Sequence, residues 1–301
     1  MSVRLGRSLA AASSTALLVL LAACGGAESQ AGDEQGTLET VRLGAIATGS
    51  APEEQERYEK IAADLEAELG AEVDLVTSTD YYAIAEALRG GRLDVAFLNS
   101  LGYVLTEQKV EIEPLAVGVD ESGEPGYYSY LITNKPDEIK EPADVEGRTL
   151  AMASSLSTSG FLFPNAALEE AGIDPEADTT LSQGGNHAAN ILAVASGQVD
   201  AAFVDSVEYE SAVADGDIDP AQVVKVWQSE RITGSPVVAR SDLSAEQLDA
   251  IQAALLELEG TEEVPLGVEK SMKMAKAESA EYDPIRELAR EAGLSVKDMQ
   301  G

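Results

Sequence analysis

The chain has 301 residues, 54 of them acidic and 20 basic, for a formal charge of −34. Such a chain does not attract nucleic acid or anionic lipid through its general field. One cysteine and one histidine exclude an internal disulfide and a His/Cys zinc cluster. A small bound anion is still allowed, because local donors outweigh carboxylates lying beyond the screening length of about 8 Å.

The N-terminal segment is laid out as a secretory signal. Arg4 and Arg7 are followed by an apolar run from Leu9 to Leu20, too short for a comfortable span, and then by Leu21-Ala22-Ala23-Cys24. One reading is an ordinary cleaved signal with Cys24 incidental. However, the tetrapeptide resembles a bacterial lipobox, which implies cleavage after residue 23 and lipidation of Cys24. Residues 24–37 are small, polar and acidic, and are expected to form a flexible tether. Roughly 265 residues remain, near the size at which one core gives way to two.

From Val41 the pattern alternates. Val41–Ala47 predicts a strand, Glu53–Leu69 a helix stopped at Gly70, Val73–Val76 a strand, Tyr81–Arg89 a helix and Asp94–Leu98 a strand. This order specifies a parallel sheet covered by helices. The segment Tyr81–Tyr103 then recurs at an offset of 106 as His187–Tyr209, with eight of 23 positions identical, among them Gly91/Gly197, Asp94/Asp200, Ser100/Ser206 and Tyr103/Tyr209. Chance recurrence of a common helix–turn–strand pattern is one explanation; two related α/β lobes is the other. Turn-rich segments near 120–127 and 228–236 are candidate crossings, each followed by an apolar strand (Tyr127–Thr133 and Pro236–Ala239). Lobe 1 would then hold 38–124 plus 236–301, and lobe 2 would hold 127–230. The two crossings would form a hinge with a cleft between the lobes.

Three predicted strand ends in lobe 2 suit an oxyanion, since helix N-termini present unpaired N–H groups and a positive dipole end. Thr149–Ala153 leads into Ser157-Thr158-Ser159-Gly160, Thr180–Ser182 into Gly184-Gly185-Asn186-His187, and Ala201–Val204 into Asp205. Each also has a plain reading, as cap plus loop, as a solvated first-turn histidine and as an N-cap. Pro164 requires either a kink after Gly160 or a separate hydroxyl turn. In the repeat, Tyr81 corresponds to His187 and Asn99 to Asp205, so all four would face one cleft. No nucleophile elbow, metal-spaced histidine pair or Gly-Lys-Ser/Thr phosphate loop is present, so no catalytic or metal site is expected.

Together Val41-Arg42-Leu43-Gly44, Thr79-Asp80-Tyr81, Tyr128-Ser129, Ser157-Thr158-Ser159-Gly160, the turn ending at His187, Gly197–Ala202, Ser235–Val238 and Tyr282–Arg286 resemble the phosphate/phosphite/phosphonate substrate-binding proteins of ABC transporters. The resemblance implies a type II periplasmic-binding-protein fold, with two pseudo-symmetric α/β lobes, a hinge and an interlobe cleft. It implies that Ser157, Thr158, Ser159 and His187 hold phosphorus-bound oxygens and that Tyr81 meets them from lobe 1. It places Tyr128 in the cleft wall and Asp205 at a ligand-facing acidic position, with Thr48, Asn99 and Ser100 secondary. The pair Tyr81-Tyr82 departs from the family pattern; Tyr81 matches the motif. The implied protein is a monomeric, extracytoplasmic lipoprotein held on the membrane by its lipid, needing no cofactor and serving a separate permease and ATPase. Alternatives are another anion such as a sulfonate, a ligand-sensing lipoprotein and an extracytoplasmic hydrolase.

Overall fold

Short β-rich apolar runs and amphipathic stretches alternate from Thr40 onward, and strands and helices follow that alternation. The computed structural model describes residues 39–46, 52–78, 80–119, 123, 125–260, 266 and 273–297, and not the side chains of 52–54 and 183–184. The signal, Cys24, the tether and Thr48 lie outside the described residues.

In chain order the elements are β1 (Thr40–Ile46), α1 (Pro52–Leu69), β2 (Glu72–Ser78), α2 (Tyr81–Arg89), β3 (Val95–Phe97), α3 (Ser100–Glu107) and β4 (Ile112–Val119). Then come β5 (Ser129–Thr133), β6 (Thr149–Ala153), α4 (Phe163–Glu170), α5 (Pro175–Asp178), β7 (Thr180–Gly185), α6 (His187–Ala195), β8 (Ala201–Asp205), α7 (Ser206–Ala214) and β9 (Val224–Gln228). The chain closes with β10 (Pro236–Arg240), α8 (Ala245–Glu257), β11 (Lys273–Lys276) and α9 (Asp283–Glu291).

The strands form two sheets, ordered β11-β4-β10-β3-β1-β2 and β7-β6-β8-β5-β9. Each sheet is built around a parallel trio, β2-β1-β3 in one and β7-β6-β8 in the other, against which an antiparallel strand from beyond a crossing is laid, β10 and β5 respectively. Helices cover both faces, so the central strands are buried on both sides. In the first lobe Tyr58, Ile61 and Leu65 of α1 pack with Ile251 and Leu255 of α8 on one face. On the other, Ile84 and Leu88 of α2 and Leu101 and Leu105 of α3 pack with Ile285 of α9. In the second lobe, Ile191 and Val194 of α6 pack on one face and Leu168 of α4 on the other.

The repeated segments correspond element by element at the offset of 106. Helices α2 and α6 begin at residues 81 and 187 and end at 89 and 195; β3 and β8 begin at 95 and 201; α3 and α7 begin at 100 and 206. The repeated aspartates do the same structural work. Asp94 accepts the Arg42 backbone N–H at 3.0 Å and the Arg42 Nε at 2.7 Å. Asp200 accepts the Thr149 N–H at 3.0 Å and its hydroxyl at 2.9 Å, and is also bonded to the Lys135 ammonium. Each carboxylate thus pins the start of the neighbouring parallel strand.

Burial pushes the Asp200 carboxyl up, but Lys135 and the Thr149 donors outweigh it and hold it at about 2. A depressed carboxyl stabilises the fold above its unfolded pKa, near 4, and loses that contribution as pH falls through about 2. The side chain is 20% exposed and that of Lys135 41%, so solvent screening discounts the shift, and the contribution at neutral pH is about 1 kcal/mol. Asp200→Asn is therefore expected to lose about this amount at pH 7 and to flatten the stability curve between about pH 4 and 2. Urea unfolding across that range checks it; parallel curves for the two proteins would rule the linkage out.

The chain leaves the first sheet after Val119, enters the second at Ser129, and returns between Gln228 and Pro236. The two passages are tied to each other. Tyr127 and Ile232 exchange backbone hydrogen bonds of 3.1 and 2.8 Å, and Arg231 Nε donates to the Pro125 carbonyl at 2.7 Å. Gly126 sits between them at φ +117, where an added Cβ would lie 2.2 Å from the Ile232 carbonyl oxygen; only glycine fits such a backbone so close to another.

Pro164 is accommodated by a wide turn of π geometry over Thr158–Leu162. There Leu162 N–H bonds the Ser157 carbonyl at 3.1 Å. The regular helix restarts at Phe163 with Pro164 in its first turn, where a missing N–H costs little. Of the two alternatives expected, the hydroxyl turn as a separate element is what the structure shows; the turn runs unbroken through Gly160 and passes into the helix at Phe163.

Candidate ligand-binding cleft

Five helical N-termini converge on the ends of the parallel strands, each with a polar N-cap. Asp80 caps α2 and Asn186 caps α6, whereas Asn99 caps α3 and Asp205 caps α7. Ser157 caps the π turn, accepting Gly160 N–H at 2.9 Å. The equivalent caps carry opposite chemistry, Asp opposite Asn in one pair and Asn opposite Asp in the other.

In the second lobe Ser157, His187 and Asp205 form one cluster. The Asp205 N–H donates to His187 Nδ1 at 3.2 Å, which puts the ring proton on Nε2. That Nε2–H lies 3.3 Å from Ser157 Oγ and 3.4 Å from Asp205 Oδ2. His187 and Asp205 are 19% and 14% exposed, so both are sheltered yet reachable. The ring lies over Gly160, where a Cβ would fall 2.4 Å from Ala153 Cβ and 2.7 Å from His187 Cε1.

The first lobe meets this cluster through α2 and α3. Tyr81 is nearly buried and its hydroxyl accepts from Asn99 Nδ2 at 3.1 Å. Tyr82 turns away and lies under Lys109, whose ammonium is 4.7 Å from the ring centroid and 3.1 Å from the hydroxyl. Tyr81 is therefore the inward residue of the pair. Thr158 is 1% exposed, and its Oγ1 accepts the Leu101 N–H of α3 across the cleft at 3.1 Å.

Three other predicted positions are placed differently. Ser159 is buried and its carbonyl accepts the Ser129 hydroxyl at 2.6 Å. The Tyr128 ring stacks on Tyr130 at 6.5 Å, while its backbone N–H donates to Ser206 Oγ beside the start of α7. Ser100 is fully buried and donates to the Thr233 carbonyl at 2.6 Å, so its hydroxyl serves the second crossing and not the cleft. The Leu101 N–H, the Leu156 carbonyl and the space left by Gly102 and Gly160 were not anticipated. Backbone donors carry no side-chain signature. Gly102 did carry one, since the repeat places Glu208 at its equivalent position.

Among the described residues no group of three or more metal-capable side chains occurs, and no helix is long and apolar enough to cross a membrane. The cluster is an array of hydroxyl, imidazole and backbone N–H donors at helix N-termini, a donor set fitted to an oxyanion.

Comparison with known proteins agrees with that chemistry. The family described as "ABC transporter, phosphonate, periplasmic substrate-binding protein" matches residues 43–283. The phosphate-import protein PhnD of Mycolicibacterium smegmatis is 32% identical, covering 84% of this chain and 82% of that protein. The phosphonates-binding periplasmic protein of Escherichia coli is 27% identical over 87% of this chain and 78% of its own length. Among solved structures, a binding protein component of an ABC phosphonate transporter from Pseudomonas aeruginosa superposes with a TM-score of 0.70 at 25% identity, covering 87% of this chain and 92% of that one. The chain belongs to the phosphonate-type periplasmic substrate-binding proteins of ABC transporters.

Proposed function

We propose that the chain is the solute receptor of an importer for phosphate, phosphite or a small phosphonate, working with a separate permease and ATPase and performing no chemistry on its ligand. The observation that carries this reading is the meeting of Ser157, Thr158 and His187 from one lobe with Tyr81 and the α3 N-terminus from the other. The lobes, 38–124 plus 236–301 and 127–230, close about the crossings near 120–127 and 228–236. An anion that bridges both lobes binds the closed form better and shifts the population toward it.

Within the cleft, the Ser157 and Thr158 hydroxyls already accept backbone N–H bonds, which leaves their own protons for ligand oxygens. His187 Nε2–H is a third donor, Tyr81 reaches from the first lobe, and Ser159 and Tyr128 complete the wall. Asp205 is the carboxylate acceptor beside His187. The related phosphate-import and phosphonates-binding proteins support phosphorus oxyanions over sulfonates. Calorimetry of the purified protein against phosphate, phosphite, methylphosphonate, aminoethylphosphonate and sulfate tests the reading; binding of sulfate alone, or of none, overturns it.

The receptor is held at the extracytoplasmic face through lipid on Cys24. One acyl chain anchors marginally and two or more anchor stably. Cys24→Ser is expected to move the protein into the soluble fraction or leave an uncleaved precursor. Processing and membrane retention like wild type, seen by fractionation and mass spectrometry, would show that the anchor lies elsewhere.

A further inference from the structure

We propose that Asn99 is a positioning residue that latches the two lobes and orients the Tyr81 hydroxyl. Its side chain hydrogen-bonds from the first lobe to the hydroxyl turn of the second. Its Oδ1 accepts Gly102 N–H at 2.6 Å, and its Nδ2 donates both to Tyr81 Oη at 3.1 Å and to the Leu156 carbonyl of the second lobe at 2.9 Å. The amide orientation is not a matter of choice. Gly102 N–H can only donate and the Leu156 carbonyl can only accept, so oxygen must face one and nitrogen the other.

Two consequences follow from that orientation. Nδ2 and the Leu101 N–H beside it bond the hydroxyl turn directly, protein to protein, so they favour the closed arrangement whatever the anion. Because Nδ2 donates to Tyr81, the tyrosine's own proton is turned away from Asn99. The site leaves room for this. A Cβ at Gly102 would sit 2.6 Å from Asn99 Oδ1 and 3.2 Å from Tyr81 Cδ1.

The repeat shows why this cap is an amide. Asp205, its equivalent, caps α7 by accepting Glu208 N–H at 2.7 Å and faces the His187 Nε2–H, where a carboxylate is at ease. A carboxylate at position 99 would face the Leu156 carbonyl and would take the Tyr81 proton for itself. Asp and Asn cap helices equally well, so Asn99→Asp separates the latch from the cap.

The latch itself does not depend on which anion is bound; the role of Tyr81 rests on the receptor reading above. The test measures the distance between spin labels at Glu68→Cys and Glu170→Cys, in the full chain carrying Cys24→Ser, without added ligand and with inorganic phosphate. With Asn99→Asp, the closed fraction of ligand-free protein is expected to fall about tenfold, and phosphate affinity by more than that, at an unchanged melting temperature. Asn99→Ala is expected to open the protein likewise. Identical distance distributions in wild type and both variants would overturn the latch. An opened variant whose phosphate affinity falls only by the loss of closed fraction would overturn the orientation of Tyr81. A latch that opens as expected in a wild-type background binding no phosphorus anion would uphold the latch and bring down the receptor reading instead.

Discussion

Gly160→Ala is expected to reduce anion affinity by more than a hundredfold. The added methyl would meet Ala153 Cβ at 2.4 Å and His187 Cε1 at 2.7 Å. Ala153 is carried on the backbone of β6 and cannot swing aside, so the turn carrying residue 160 must shift away from it, and the imidazole on its other side must move as well. Moving it breaks the contact of Nδ1 with Asp205 N–H and carries Nε2 away from Ser157. Hydrogen bonds to a charged ligand are each worth about 1.5–3 kcal/mol, and two donors are disturbed at once. Overpacking adds a stability cost of about 1–3 kcal/mol, which thermal melting reads separately. His187→Ala alone removes one donor, so it is expected to weaken binding by roughly 10- to 150-fold with little effect on the unliganded fold. Combining the two gives a sharper result. If the methyl acts through the ring, Gly160→Ala costs much less affinity in the His187→Ala background than in wild type. Wild-type affinity for Gly160→Ala would remove the His187 ring from the binding arrangement, whereas full additivity would place the effect of the methyl on the Ala153 side, through the hydroxyl turn.

The repeat was the strongest signal in the sequence, and the structure shows what its identities are for. Asp94 and Asp200 pin parallel strands. Ser100 and Ser206 each bind a crossing, the first at the Thr233 carbonyl and the second at the Tyr128 N–H. Tyr103 and Tyr209 lie in the core, with the Tyr209 hydroxyl donating to the Val223 carbonyl. These identities serve architecture, whereas the positions that differ, Tyr81/His187 and Asn99/Asp205, face the cleft. The identity of Ser100 and Ser206 in both copies fits that shared structural task, since the Ser100 hydroxyl is spent on the crossing.

The choice between Tyr81 and Tyr82 was also legible. Tyr81, Ile84, Ala85 and Leu88 form one helical stripe, and those four are the buried residues of α2. Other features were out of reach. Pro164 announced a break, but the π turn that absorbs it depends on tertiary packing against Ala153 and His187. Of the antiparallel additions β4 and β11, the first carries an apolar run that single-sequence periodicity does not assign to an edge or an orientation, and the second, Lys273–Lys276, is too short and too polar to show a strand pattern.

Asp205→Asn is expected to change which anion binds best more than it changes how tightly the site binds overall. Asn caps a helix as well as Asp does, so the bond to Glu208 N–H survives and stability is retained. The change falls on Oδ2, which lies 3.4 Å from His187 Nε2 at the edge of the donor cluster. The Ser157 and Thr158 hydroxyls and His187 Nε2–H beside it can each donate to a ligand. A carboxylate beside an oxyanion is repulsive unless a proton or a cationic substituent on the ligand lies between them. Asp205 therefore favours an anion that keeps a proton, such as hydrogen phosphate or phosphite, over fully ionised sulfate, and it favours aminoethylphosphonate if the ammonium reaches it. Its partner in the repeat, Asn99, is neutral and engaged with Tyr81 and Leu156, so the second lobe alone supplies this discrimination. Turning the acceptor into an amide donor is expected to cost the ligand that donates to Asp205 about 1–3 kcal/mol and to improve sulfate relative to it. Competition among sulfate, phosphate, phosphite, methylphosphonate and aminoethylphosphonate, run on wild type and variant at one pH and salt concentration, measures the change in ranking. The same order in both proteins would reduce Asp205 to the cap of α7.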